Sequence, residues 1–168
     1  HYLLDPRNGV LVARLIADRI GQLDPDHAAD YAAALTQFEA DMARQIEGWE
    51  LRLRATEDTS LLAFHRTWTY LAAWAGIRIA NYIEEKPGIP PGPRHLASLV
   101  DQMATEGIRA IALAHYNPTR SGKALAERSG ARLLVLPAAV EAFDDVAEYA
   151  DLFDRIVSDL ETVGRGTP

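Results

Sequence analysis

The chain contains no cysteine. Disulfides and thiolate zinc centres are thereby excluded, and any bound metal must be held by imidazole nitrogen and carboxylate oxygen. There is no apolar run of membrane-spanning length, no secretory leader and no initiating methionine. We therefore expect a processed or shortened chain whose missing start held the targeting signal. There is also no basic stripe. Lys and Arg number 17 against 24 Asp and Glu, a formal net charge of −7, which argues against nucleic acid as a partner. That charge suits a cation, but equally serves plain solubility. A Gly-x-Gly-x-x-Gly turn and a Walker lysine loop are missing. Ser121 and Ser129 lack the setting of a nucleophile elbow, and no internal repeat is seen. What remains is 168 residues, 48% hydrophobic and 24% charged, enough for one domain with a real core, or for one lobe plus an interdomain element.

Helical signals come first. Asp5-Pro6 places an N-cap and a proline at the first helical position. Val12, Ile16, Ile20 and Leu23 then form one apolar stripe. After Asp24-Pro25-Asp26, residues Tyr31, Leu35, Phe38, Met42, Ile46, Trp49 and Leu53 alternate spacings of four and three. A helix over 27–54 would be about 40 Å long at 1.5 Å per residue, and the pattern alone is equally that of a bundle or coiled-coil helix. From Thr59 the texture changes. Short apolar runs at 61–64, 77–83, 108–114 and 132–136 alternate with helical stretches over 67–75, from Gly92-Pro93 through Met103, and over 119–129. A final helix uses Val146, Tyr149, Phe153, Ile156 and Leu160. Gly76, Gly107 and Gly130 stand where helices must end. The fold expected is α/β: a four-stranded parallel Rossmann-like lobe with flanking helices, preceded by a helix and a long backbone helix. Residues 87–93 read as a stiff surface loop and 164–168 as a frayed tail.

In such a sheet, ligands collect beyond the carboxyl ends of the strands. His65 ends the first strand, Glu84 and Glu85 follow the second, and His115 follows the third. Glu141, Asp144 and Asp145 lie after the fourth. With strand order 2-1-3-4, His65 and His115 would share a crevice beside the acidic loop. Such a donor set suits zinc. Glu84 and Glu85 are adjacent and so face opposite ways, which favours loop solvation over an acid/base pair. His27 and His95, at helix starts, are expected to be solvated, and Trp68 and Trp74 to be core.

Two segments carry a family likeness. His1-Tyr2-Leu3-Leu4-Asp5-Pro6 precedes a helix, and His65-Arg66-Thr67-Trp68-Thr69-Tyr70-Leu71 follows a strand. His-x-x-Leu-Asp-Pro with His-x-x-x-x-Tyr-Leu resembles the TroA-like solute-binding receptors of zinc and manganese ABC importers, and the likeness runs over the whole chain. It implies that the long helix is the rigid backbone spanning two lobes. Residues 1–58 would be an interdomain segment, 59–168 the carboxy-terminal metal-receptor lobe, and the amino-terminal lobe would be absent. It further implies Zn²⁺ as the bound ion with Mn²⁺ second, and ligands His1 and His65; His115, at a strand end where the family commonly has Glu, and Asp145 complete the candidate set from their place beside the crevice. The family's Asp position near the last strand is Ala138 here, so Glu141, Asp144, Asp145 or His115 would replace that ligand. An ABC permease is the implied partner, in a periplasmic or extracytoplasmic location, with a lipoprotein anchor in some cases. The face left by the absent lobe would favour self-association.

The likeness implies a receptor and not an enzyme. Two alternatives stay open at this stage: a Rossmann-like enzyme using His65 as general base, and an isolated lobe with no competent metal site.

Overall fold

The computed structural model describes residues 1–56 and 59–164. Residue 58, at the expected division between segments, and most of the expected tail, 165–168, lie outside the described residues. Among the described residues the chain runs α1 (Pro6–Leu23), α2 (Ala28–Leu53), β1 (Ser60–Ala63), α3 (Thr69–Ala75), β2 (Arg78–Tyr82), α4 (Pro93–Glu106), β3 (Ala110–Ala114), α5 (Arg120–Ser129), β4 (Arg132–Leu136) and α6 (Tyr149–Gly164). The four strands form one sheet in the order β2-β1-β3-β4. All three pairings are parallel.

The local signals act as their chemistry dictates. Asp5 caps α1, its carboxylate accepting the backbone N–H of Arg7 at 3.0 Å and gripping the guanidinium at 2.9 and 2.7 Å. That bond raises the Arg7 pKa above its ordinary value. The long helix α2 continues through Gly48 without a break. Gly76, Gly107 and Gly130 end α3, α4 and α5 with φ of 68°, 66° and 72°, a backbone region that costs residues with a Cβ. The final helix differs from expectation. It begins at Tyr149, and Val146 lies in the loop ahead of it, still fully buried. Asp151 explains the later start. Its carboxylate accepts the N–H groups of Ala147 and Glu148, tying the approach to the first turn.

Strand alternation sorts side chains onto two faces. On β3, Ala110, Ala112 and Ala114 face the layer of α2, α3 and α6, while Ile111 and Leu113 face α4 and α5. The three alanines leave room for bulk on their side. There Trp49, Trp74 and Phe153 meet with ring centroids 5.2 to 6.3 Å apart, and Trp68 is 2% exposed. Phe153 is wholly buried; truncation to Ala would cost about 3–5 kcal/mol. The carboxyl half of α2 belongs to this core through Met42, Trp49 and Leu53. Trp49 Nε1 also donates to Asp154 of α6 at 2.7 Å. The backbone helix is thus built into the lobe at one end.

Candidate metal centre

β1 delivers His65 to the carboxyl edge of the sheet. The ladder extends past the regular strands: Phe64 N–H donates to Ala112 O, and Glu84 N–H to Phe64 O, each at 3.0 Å. Glu84 therefore stands beside His65, and His65 Nδ1 lies 2.7 Å from Glu84 Oε2. An ionised carboxylate can only accept, so this close contact favours a proton on Nδ1, and in the neutral ring Nε2 then carries the lone pair. A carboxylate behind an imidazole is the arrangement that orients the ring toward a metal. The imidazole is 39% exposed and the carboxylate 12%, so the free nitrogen has access while its backing group is sheltered. Glu84 Oε1 accepts Gly88 N–H at 2.7 Å, which fastens the proline-rich loop to the same carboxylate.

Glu84 corrects the expectation that both glutamates are solvated. The two part beyond the end of β2. Glu85 turns out to 58% exposure, 3.8 Å from His95 Nδ1, whereas Glu84 turns in. His95 also departs from its expected solvation, with a side chain 15% exposed and Nε2 bonded to Tyr82 O at 2.9 Å. His65, Glu84, Glu85 and His95 line one cavity of about 380 Å³.

β3 delivers His115 to the same edge. Its backbone N–H donates to Leu136 O at 2.9 Å. The following turn is closed by Asn117, whose side chain accepts the N–H of Ala114 at 2.8 Å. The ring, however, is wired in the other sense. The N–H of Ala138 donates to His115 Nδ1 at 3.3 Å. A backbone amide can only donate, so Nδ1 holds the lone pair and the neutral ring carries its proton on Nε2. The two strand ends touch through Thr67 Oγ1 and Tyr116 Oη at 3.4 Å.

His1 is exposed and precedes a single 3-10 turn at Tyr2–Leu4, with His1 O accepting Leu4 N–H at 3.0 Å. The ring of Tyr2 meets Tyr70 edge-on at 5.3 Å, so this turn rests on the helix that follows His65. Asp145 is paired with Arg155 at 2.8 Å. The bond from Arg155 to Asp159, and after it this one to Asp145, raise the Arg155 pKa. Among the described residues no group of three or more His, Asp or Glu side chains stands close enough to hold a metal ion. The expected donors are thus distributed. His65 is free at Nε2, His1 is exposed, and His115 and Asp145 are engaged elsewhere.

The sheet order, the flanking helices and the long helix define the fold of TroA-like solute-binding receptors. The solved structure titled "Crystal structure of ZnuA" superposes with a TM-score of 0.82 at 23% identity, over 99% of this chain and 61% of that one. FpvC from Pseudomonas aeruginosa, solved with Mn²⁺, superposes with a TM-score of 0.76 at 22% identity, over 98% of this chain and 62% of that one. Within this class the chain belongs to the family described as zinc-uptake complex component A, periplasmic, which matches residues 1–163. A curated relative, the high-affinity zinc uptake system protein ZnuA of Brucella abortus, is 25% identical over 162 residues, covering 96% of this chain and 48% of that protein. The chain therefore spans about half the length of the relative it matches.

Proposed function

We propose that the chain is the metal-receiving part of a solute-binding protein that serves an ABC importer. It takes up Zn²⁺, with Mn²⁺ as second choice, and passes the ion to a membrane permease. The zinc-uptake relative supports the first metal and the Mn²⁺-bound neighbour the second. The protein works outside the cytoplasm, in the periplasm or held at the membrane by a lipid anchor. The family is one of solute-binding proteins, and the reading is transport, not turnover.

The observation that carries the reading is the His65–Glu84 pair. It sets a partly exposed imidazole against a sheltered glutamate, an arrangement that supports metal ligation through Nε2. His65 supplies the first ligand through Nε2, and His1 the second. His115 and Asp145 would have to give up Ala138 N–H and Arg155 to join them, and in this chain they stay engaged. Residues 1–58 are the interdomain segment and 59–168 the receptor lobe, and the remaining donors come from a second lobe across the cleft. The rigid α2 limits hinge motion, so release proceeds by small shifts of loops and lobes. Leu11, Leu15, Ile16 and Leu23 of α1 are 45%, 70%, 54% and 67% exposed. An apolar row of this kind supports packing against more protein, and in this chain alone it favours self-association.

Calorimetric titration of Zn²⁺ tests the reading. Wild type is expected to bind with heat that His65→Ala lacks. Equal binding by the two would contradict it.

A further inference from the structure

The segment carrying His1 is held to the lobe by its backbone and by its neighbours. Leu4 is 2% exposed in the main core, Tyr2 rests on Tyr70, and Asn8 Nδ2 donates to Tyr2 O at 2.9 Å. The remaining tie arrives from the other end of the chain. Tyr149, the first residue of α6, donates its Oη–H to the carbonyl of Leu3 at 2.7 Å and lies 3.5 Å from that of Asp5.

The phenol reaches these carbonyls because Gly9 has no side chain. A Cβ at Gly9 would collide with Cε1, Cζ and Oη of Tyr149. Gly9 sits inside α1, where glycine is a poor helix former, so close approach of the ring supplies the reason for it. Phe153 backs the ring edge-on at 5.1 Å. Desolvation, with the Asp5 carboxylate adding to it, pushes the phenol pKa well up, so the hydroxyl remains a donor. The fold has no need of this bond to seat α6, since Phe153, Ile156, Val157 and Leu160 already bury that helix.

We propose that Tyr149, seated in the socket left by Gly9, is a positioning residue for His1: by holding the Leu3 carbonyl it sets where the His1 imidazole stands relative to His65. The proposal rests on the reading of His1 and His65 as ligands. Groups bonded directly to a ligand change metal affinity by about 10- to 100-fold; Tyr149 acts one step further back, on the carbonyl of Leu3, so the lower end of that range is expected.

The test is a double-mutant cycle read by Zn²⁺ calorimetry on the chain, with thermal midpoints measured alongside. Tyr149→Phe keeps the ring and removes the bond; it should weaken zinc about tenfold with little change in midpoint. Gly9→Ala, which displaces the ring, should weaken zinc in the same direction. His1→Ala should weaken zinc at least as much, and adding Tyr149→Phe to it should do nothing further. Additive losses, or a loss with His1→Ala and none with Tyr149→Phe, would overturn the proposal while leaving His1 a ligand. Unchanged affinity in His1→Ala would remove the reading beneath it, and the proposal with it.

Discussion

His65 and His115 end neighbouring parallel strands on one edge of one sheet, and each has its Nδ1 fixed by a single partner. For His65 the partner is a carboxylate; for His115 it is a backbone amide. A carboxylate draws the ring proton to Nδ1 and leaves Nε2 to accept a metal. An amide takes the Nδ1 lone pair and leaves Nε2 a donor. Residue type and position are the same, and the chemistry offered to the cleft is opposite. A histidine at a strand end is therefore not a ligand by place alone; what stands behind it decides.

Several substitutions would break or sharpen this contrast. The largest effect is expected at His65, where replacement by Ala should abolish measurable zinc binding in calorimetry while His115→Ala retains it. Next comes the backing group. Glu84→Ala should weaken zinc by about 10- to 100-fold. Glu84→Gln, which still offers an oxygen to Nδ1–H, should lose less, and a loss equal to that of Glu84→Ala would show that charge and not orientation matters. His115→Phe should act on stability more than on binding. It leaves Ala138 N–H without its acceptor, a cost of about 1 kcal/mol at a half-buried site, seen as a lower denaturation midpoint with zinc affinity retained. The smallest effect is expected at His95. His95→Ala removes the bond to Tyr82 O, worth about 1 kcal/mol, and should leave zinc affinity where it was.

The asymmetry between the two histidines also marks where the sequence stops being legible. Elements held by local chemistry were readable. Asp5-Pro6 announces a helix start, glycines announce helix ends, and the alternating fours and threes of α2 carry it across Gly48. The strand order 2-1-3-4 was only a condition in the sequence, because right-handed crossovers fix the hand of each connection and leave open on which side of β1 each strand is added. The partners of the site were not readable, because they are made by pairing across the sheet or across the whole chain. Glu84 meets His65 from the neighbouring strand, and Ala138 meets His115 from the loop after β4. Glu84 and Glu85 lie beyond the end of β2, where strand alternation no longer decides which of the two turns inward. Tyr149 was legible as part of an apolar stripe, and its hydroxyl on Leu3 was not. Gly9, a glycine inside a helix, is a signal shared by Gly21 and Gly48, and only the structure shows that a ring fills the space at Gly9 alone. His95 was missed for a similar reason, since its acceptor is a backbone carbonyl on β2 that residue type cannot reveal.

The contrast between the two rings is tested most directly by nitrogen-15 NMR of the imidazoles as Zn²⁺ is added. In metal-free protein, His65 should carry its proton on Nδ1 and His115 on Nε2. On addition of Zn²⁺, the Nε2 resonance of His65 should move to that of a metal-bound nitrogen while the resonances of His115 keep their metal-free pattern. A His65 ring protonated on Nε2, or a zinc-induced shift at His115 with none at His65, would contradict the account.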